Sequence, residues 1–140
     1  MTMNDKILNI YCDGGARGNP GPAASAFIVR DESGKILHQQ GFYLGIATNN
    51  QAEYSAVLKA LEWVSEKSSN SEIIFYLDSL LVVNQLKGSF KVKDPILKNE
   101  NLKIKKLISN FKLQISNFVY IPRSQNFLAD KIVNETLDAQ

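Results

Sequence analysis

Along residues 1–47 the hydrophobic and polar positions follow a strand-like pattern, and beyond them the period becomes helical. KILNIYCD (6–13), ASAFIVRD (24–31) and KILHQQGFYLG (35–45) are rich in β-branched and aromatic residues, which suit a pleated, half-buried surface. DESG (31–34) supplies turn residues that join the second and third runs as a hairpin. Thr48, Asn49 and Asn50 offer helix-capping side chains, and from there to about Lys67 the apolar residues Tyr54, Val57, Leu58, Leu61 and Val64 recur at helical spacing. SSNS (68–71) breaks that helix. EIIFYLD (72–78) is a continuous apolar run and predicts a strand covered on both faces. SLLVVNQLKG (79–88) is a short helix, FKVKDP (90–95) a loop, and a lysine-rich helix covers about 96–110. LQISNFVYIP (113–122) is a further strand and SQNFLADKIVNETLDAQ (124–140) a final helix.

Short turns join antiparallel strands, whereas strands separated by helices lie parallel. The order therefore predicts an α/β fold: a mixed five-stranded sheet, three antiparallel then two parallel strands, flanked by helices. With no repeat, linker or low-complexity tract, residues 1–140 read as a single domain.

Composition narrows the function classes. Hydrophobic content of 44% and charged content of 21% exclude a disordered chain. No apolar run reaches the ~18 residues of a membrane span. The first residues, MTMNDKILN, carry acid and amide where a leader needs apolar residues, so a cytoplasmic location is expected. The single cysteine, Cys12, lies in a predicted strand and reads as a buried thiol rather than a nucleophile or ligand. Charge is unevenly spread: residues 87–123 hold nine Lys or Arg against two Asp or Glu, while both flanking segments are net acidic. A basic middle suits a polyanionic partner, or else a solvated helix face.

Four carboxylates stand where a stability argument would not require them. Asp13 and Asp78 end apolar strands, and reacting groups tend to gather beyond the carboxyl ends of central strands. Asp is also a good turn former, and Asp78, followed by Ser79 and a helix, reads equally as an N-cap. Glu53 shares a helix face with Val57, Ala60 and Val64, and Asp130 one with Val133 and Leu137. An acid early in a helix is favoured by the helix dipole, but one turned toward the core needs a further partner. If the four converge, mutual repulsion raises their pKa values or recruits cations. The only histidine, His38, is far in sequence from every acid, so no zinc set exists. Oxygen-only ligation selects hard ions, Mg²⁺ or Mn²⁺, and two such ions can clamp the attacking and departing oxygens of a phosphoryl transfer.

GGARGNPG (14–21) matches neither the P-loop nor the GxGxxG fingerprint. It reads as a tight reversal beside Asp13, with glycines that let a ligand approach the main chain and Pro20 and Pro22 stiffening it.

The chain resembles the type I ribonuclease H family in DGGARGNPGP (13–22), TNNQAEY (48–54), Asp78 to Gln85, and PRSQNFLAD (122–130), in that family's order and spacing. The resemblance implies a ribonuclease H fold and endonucleolytic cleavage of the RNA strand of RNA–DNA hybrids, leaving 5′-phosphate and 3′-hydroxyl ends. It implies that Asp13, Glu53, Asp78 and Asp130 are catalytic and bind two Mg²⁺ or Mn²⁺ ions. Gly14, Gly15, Asn19, Thr48, Asn49, Asn50, Arg123 and Asn126 fall on substrate-contacting positions, Thr48 on a phosphate contact. Many members carry a histidine before the last aspartate. IPRSQNFLAD here resembles the branch bearing arginine, which gives Arg123 an electrostatic role. Leu80 stands where many relatives have a polar substrate contact. The segment 87–98 is a shortened form of the family's basic handle, leaving Lys87, Lys91, Lys93 and Lys98 as candidate phosphate contacts. The expected partner is an RNA–DNA hybrid, with duplex RNA left open, no membrane, and a monomeric chain. A non-cleaving hybrid-binding module, a DNA-directed nuclease and a nucleotide-binding α/β protein are the rival readings.

Overall fold

The computed structural model describes residues 6–67 and 70–140. The N-terminal segment read as lacking a leader (1–5), and Ser68 and Ser69 of the expected helix break, lie outside the described residues. Strands β1 (Ile7–Ala16), β2 (Gly21–Arg30) and β3 (Ile36–Ala47) come first, followed by helix α1 (Asn49–Ser65) and β4 (Glu72–Leu77). Then follow α2 (Leu80–Lys87), α3 (Pro95–Asn110), β5 (Gln114–Tyr120), a 3-10 turn (Arg123–Gln125) and α4 (Phe127–Asp138).

The five strands form one sheet in the order β3-β2-β1-β4-β5. β1 and β3 each pair antiparallel with β2, whereas β4 pairs parallel with β1 and with β5. The predicted mixed sheet is therefore observed. Both boundaries of the β1–β2 reversal move. The first strand does not stop at Asp13 but continues to Ala16, and β2 begins at Gly21 rather than at residue 24. Pairing explains the extension: Gly14, Gly15 and Ala16 stay opposite Ser25, Ala24 and Ala23, so the reversal narrows to Arg17–Pro20.

Alternation along β2 sets the layers. Phe27 and Val29 face the main core with Leu8, Ile10 and Cys12 of β1 and Tyr54, Val57, Leu61 and Val64 of α1. Ala24 and Ala26 face the opposite side, beneath Val133 and Leu137 of α4. Small residues there let the helix approach closely; a Cβ at Gly41 of β3 would collide with Ile132 and Thr136 of α4. α4 reaches β1, β2 and β3. The expectation that β4 is covered on both faces is thereby corrected. Ile73, Phe75 and Leu77 are buried, but Ile74 and Tyr76 are only half-buried. Tyr76 finds local partners instead, stacking on Tyr11 at 4.5 Å and donating to Asn9 Oδ1 at 2.9 Å.

The helices start where local chemistry allows. Thr48 accepts from the Gln51 amide (3.1 Å) while the Gln51 side chain accepts from the Thr48 amide (3.0 Å), a capping box that begins α1. Asp94 caps α3 ahead of Pro95. Cys12 is fully buried, as its strand position implied. His38 stacks on Trp63 at 4.6 Å and is absent from the lining of the clefts described below.

Candidate active site

Parallel pairing of β1 with β4 runs through Tyr11 beside Tyr76. Two residues further along each chain, Asp13 and Asp78 emerge next to each other. Glu53, early in α1, reaches the same place because α1 lies almost on the main chain of β1. A Cβ at Gly14 would collide with the backbone of Ala52 and Glu53. The Gly14 amide donates to Glu53 Oε1 at 3.0 Å, and Ser25 Oγ donates to the Ala52 carbonyl at 2.6 Å, holding the helix down. Gly14 thus admits a helix and also lines the cleft beside Glu53 and Asp78. Gly15 lines the adjoining cleft beside Asn49.

Asp13, Glu53 and Asp78 each present a carboxylate oxygen, and these oxygens lie within 4.8 Å of one another. Asp13 is 1% and Glu53 4% exposed, and among the described residues Asp13 Oδ1 and Glu53 Oε2 have no hydrogen-bond donor. Burial, followed by the charges of Asp78 and Asp130, pushes the Asp13 carboxyl up from 3.8 to about 7 despite the opposing hydrogen bond shared with Glu53. Burial and then the Asp13 charge push Glu53 up as well. Asp13 and Glu53, stripped of water and each with one carboxylate oxygen lacking a donor among the described residues, are unfavourable by themselves. Oxygen-only donors with orphaned lone pairs fit a hard divalent cation.

Asp78 is not the helix cap that its sequence context allowed. Ser79 takes that role, accepting from the Val82 amide at 3.3 Å. Asp130 does not join the close group. It lies one turn into α4, half-exposed at the rim, where its carboxylate is 3.8 Å from the Arg123 guanidinium. One depression of about 340 Å³ is lined by Asp13, Gly15, Arg17, Asn49, Arg123 and Asp130 among others. A neighbouring one of about 310 Å³ is lined by Gly14, Asn49, Asn50, Glu53, Asp78, Ser79 and Arg123. Asn49 and Arg123 border both, so the two form a continuous groove along the acids.

The asparagines of the groove are tied together. Asn49 Oδ1 accepts from the Ala16 amide (2.8 Å), and the Asn49 amide donates to Asn19 Oδ1 (3.0 Å). Both oxygens are engaged, while neither side-chain NH₂ has a protein partner among the described residues. Asn126, also expected as a substrate contact, differs in its bonding. It is 2% exposed, and its Nδ2 donates to the Cys12 carbonyl (2.8 Å) and to Asp78 Oδ2 (3.0 Å). Both of its amide hydrogens are engaged internally. Lys87, Lys91 and Lys93 are exposed and lie outside the groove lining.

Arg17 is a groove residue that the sequence pattern does not single out. It lines the groove and pairs with Asp138 at 2.6 Å, fastening the β1–β2 turn to the end of α4. Its place inside GGARGNPG was the available signal, but the partner lies at the far end of the chain.

Comparison with known proteins places this geometry. A family model described as "Reverse transcriptase-like" matches residues 11–136. Ribonuclease HI of Halobacterium salinarum is 37% identical over 131 residues, covering 94% of this chain and 64% of that protein. The crystal structure of LC11-RNase H1 in complex with an RNA/DNA hybrid superposes with a TM-score of 0.89 at 42% identity, covering 94% of this chain and 97% of that one. The chain belongs to the ribonuclease H-like family. A third relative, the N-terminal RNase H domain of rv2228c from Mycobacterium tuberculosis, has a TM-score of 0.88 at 35% identity. The chain spans about 64% of the length of the halobacterial ribonuclease HI, and 35% of the mycobacterial bifunctional protein of which that domain is a part. In this ribonuclease H fold the acids occupy the end of the sheet where β1 and β4 run side by side.

Proposed function

We propose that this protein is an endonuclease that hydrolyses the RNA strand of RNA–DNA hybrids in a divalent-metal-dependent reaction, leaving 5′-phosphate and 3′-hydroxyl ends. The observation that carries the reading is the trio Asp13, Glu53 and Asp78, drawn from three separate elements with ligand oxygens within 4.8 Å. Similarity to an RNase H1 solved with a hybrid supports the substrate class.

Asp13, Glu53 and Asp78 would hold the metal, with Asp130 closing the rim. Bound Mg²⁺ or Mn²⁺ supplies Lewis acidity and positive charge for in-line displacement at phosphorus. The remaining chemistry belongs to the chain. Gly14 packs α1 close enough for Glu53 to meet Asp13. Asn19, Asn49 and Asn50 offer short amides to a shallow minor groove, and Gly15 leaves room for a ribose 2′-hydroxyl, the group that separates RNA from DNA. Thr48 Oγ1 accepts its cap bond, so its own hydrogen remains to donate to a phosphate.

Arg123, standing where many relatives have a histidine, faces Asp130 and both halves of the groove. Its fixed positive charge balances Asp130 and attracts the scissile phosphate, in keeping with the arginine-bearing branch. Lys87, Lys91 and Lys93 extend the phosphate track beyond the groove. Residues 1–140 act as one monomeric, cytoplasmic domain in this reading.

The test is incubation of labelled RNA–DNA hybrid, duplex RNA and duplex DNA with Mg²⁺, Mn²⁺ or chelator. Metal-dependent cutting of the RNA strand of the hybrid is expected. Hybrid left intact, or cut equally in chelator, would overturn the reading.

A further inference from the structure

Asn126 holds the first position ahead of α4, where asparagine is among the best capping residues. Its side chain makes no cap bond. Instead Nδ2 donates to the Cys12 carbonyl at 2.8 Å and to Asp78 Oδ2 at 3.0 Å, and Oδ1 is left buried without a partner among the described residues. The orientation is fixed by its neighbours. A flipped amide would set its oxygen against a carbonyl and a carboxylate, both acceptors. A residue that forgoes a cap bond and tolerates a buried orphan acceptor has its side chain committed elsewhere.

Three elements meet at this residue. Cys12 precedes Asp13 on β1, and Asp78 follows β4. The Asn126 carbonyl accepts from the Asp130 amide at 3.1 Å in the first turn of α4. One side chain and its own main chain therefore fix the relative positions of the segments that carry Asp13, Asp78 and Asp130.

We propose that Asn126 is a positioning residue: it clamps one oxygen of Asp78 so that the other faces Asp13 and Glu53 for cation binding. The inference rests on the metal-dependent reading above. Outer hydrogen bonds to ligating carboxylates orient them and typically matter about 10–100-fold in metal affinity.

Asn126→Ser separates positioning from folding, because serine caps a helix as well as asparagine but is too short to span Cys12 and Asp78. Mn²⁺ binding is measured by calorimetry on nucleic-acid-free protein, alongside metal-free Tm and the KM for hybrid. The expected result is at least about tenfold weaker Mn²⁺ binding, a modestly lowered metal-free Tm from the lost bond to the Cys12 carbonyl, and an unchanged KM. In an Asp78→Asn background the same substitution should weaken Mn²⁺ binding no further. Should Asn126→Ser fail to fold, Asn126→Ala takes its place in both backgrounds.

Wild-type Mn²⁺ affinity in the variant, or an equal loss in the Asp78→Asn background, would overturn the proposal. So would a raised KM with metal binding intact, which would return Asn126 to substrate contact. Wild-type protein that neither binds Mn²⁺ nor cuts hybrid would defeat the functional reading itself, an outcome separable from these.

Discussion

Asp13 and Glu53 are buried against each other where β1 meets α1, and each keeps one carboxylate oxygen that receives no hydrogen bond from the described residues. Both carboxyls are pushed upward, Asp13 to about 7, with burial the largest cause for each. The metal-free pair therefore retains a proton at a pH where free carboxylates have lost theirs.

That proton makes stability fall with pH. Between about 4 and about 7 the folded Asp13 binds a proton that the unfolded residue has released. Where the native state binds more protons, stability decreases as pH rises. Glu53 acts in the same direction. Thermal unfolding in chelator should show Tm declining across this window, a loss of stability on the order of 2–4 kcal/mol. Saturating Mn²⁺ should flatten the profile, and a Tm that rises from pH 4 to 7 in chelator would refute the pairing.

Asp13→Asn removes the desolvated charge and the repulsion with it. Metal-free stability at pH 8 should increase by roughly 1–3 kcal/mol, while hybrid cleavage drops below about 1% of wild type. Denaturant melts and a cleavage assay on one preparation check both halves. A variant both less stable and still active contradicts the assignment.

Gly14→Ala tests the close approach of strand and helix. Its Cβ would collide with the Ala52 and Glu53 backbone. Relief by shifting α1 should lower stability by about 1–3 kcal/mol and, by moving Glu53, cut the rate about 100-fold. Gly34, whose Cβ would meet nothing but whose φ is +90°, is the comparison site. Alanine there should reduce stability through backbone strain and leave the rate unchanged.

Arg123→Ala isolates an exposed charge. The Arg123–Asp130 pair is 3.8 Å apart with the arginine side chain 74% exposed, so Tm should move by less than about 1 kcal/mol in equivalent stability. Hybrid affinity should fall, and the slope of log K against log salt should decrease by about 1 if one phosphate contact is lost. An unchanged slope would remove Arg123 from the phosphate track.

Cys12 is fully buried, and burial, reinforced by Glu53 and Asp13, pushes its thiol up. Alkylation should proceed only as fast as the native protein opens. Rapid labelling in the folded state would mean that the β1 core is looser than its packing implies.

Much of the fold was readable from local pattern. The DESG hairpin turn, the β4 run and the helix cap at Thr48 are short-range chemistry, and the sheet topology follows from which strands are joined by turns and which by helices. What local pattern did not carry was contact between distant segments. Asp13 seemed to terminate its strand because the glycines after it look like loop. They remain paired because β2 lies opposite them and α1 needs the space above them. β4 seemed covered on both faces because Tyr76 is apolar by composition; its partner Tyr11 lies on another strand.

The acid site divides in the same way. Strand ends and helix faces marked Asp13, Glu53 and Asp78 as candidates, whereas the half-exposed rim position of Asp130 depends on where α4 begins relative to β1. Asn126 entered the candidate list through the family resemblance alone, with no local pattern to say which way it faces. Only its contacts with Cys12 and Asp78 show it facing inward.

Anomalous diffraction from crystals grown with Mn²⁺ and a non-cleavable RNA–DNA hybrid tests the shared-cation claim most directly. The expected result is manganese density bridging Asp13, Glu53 and Asp78, with Asp130 at its edge and the RNA strand's phosphate against it. Manganese bound only elsewhere, with these carboxylates empty beside an ordered hybrid, would contradict it.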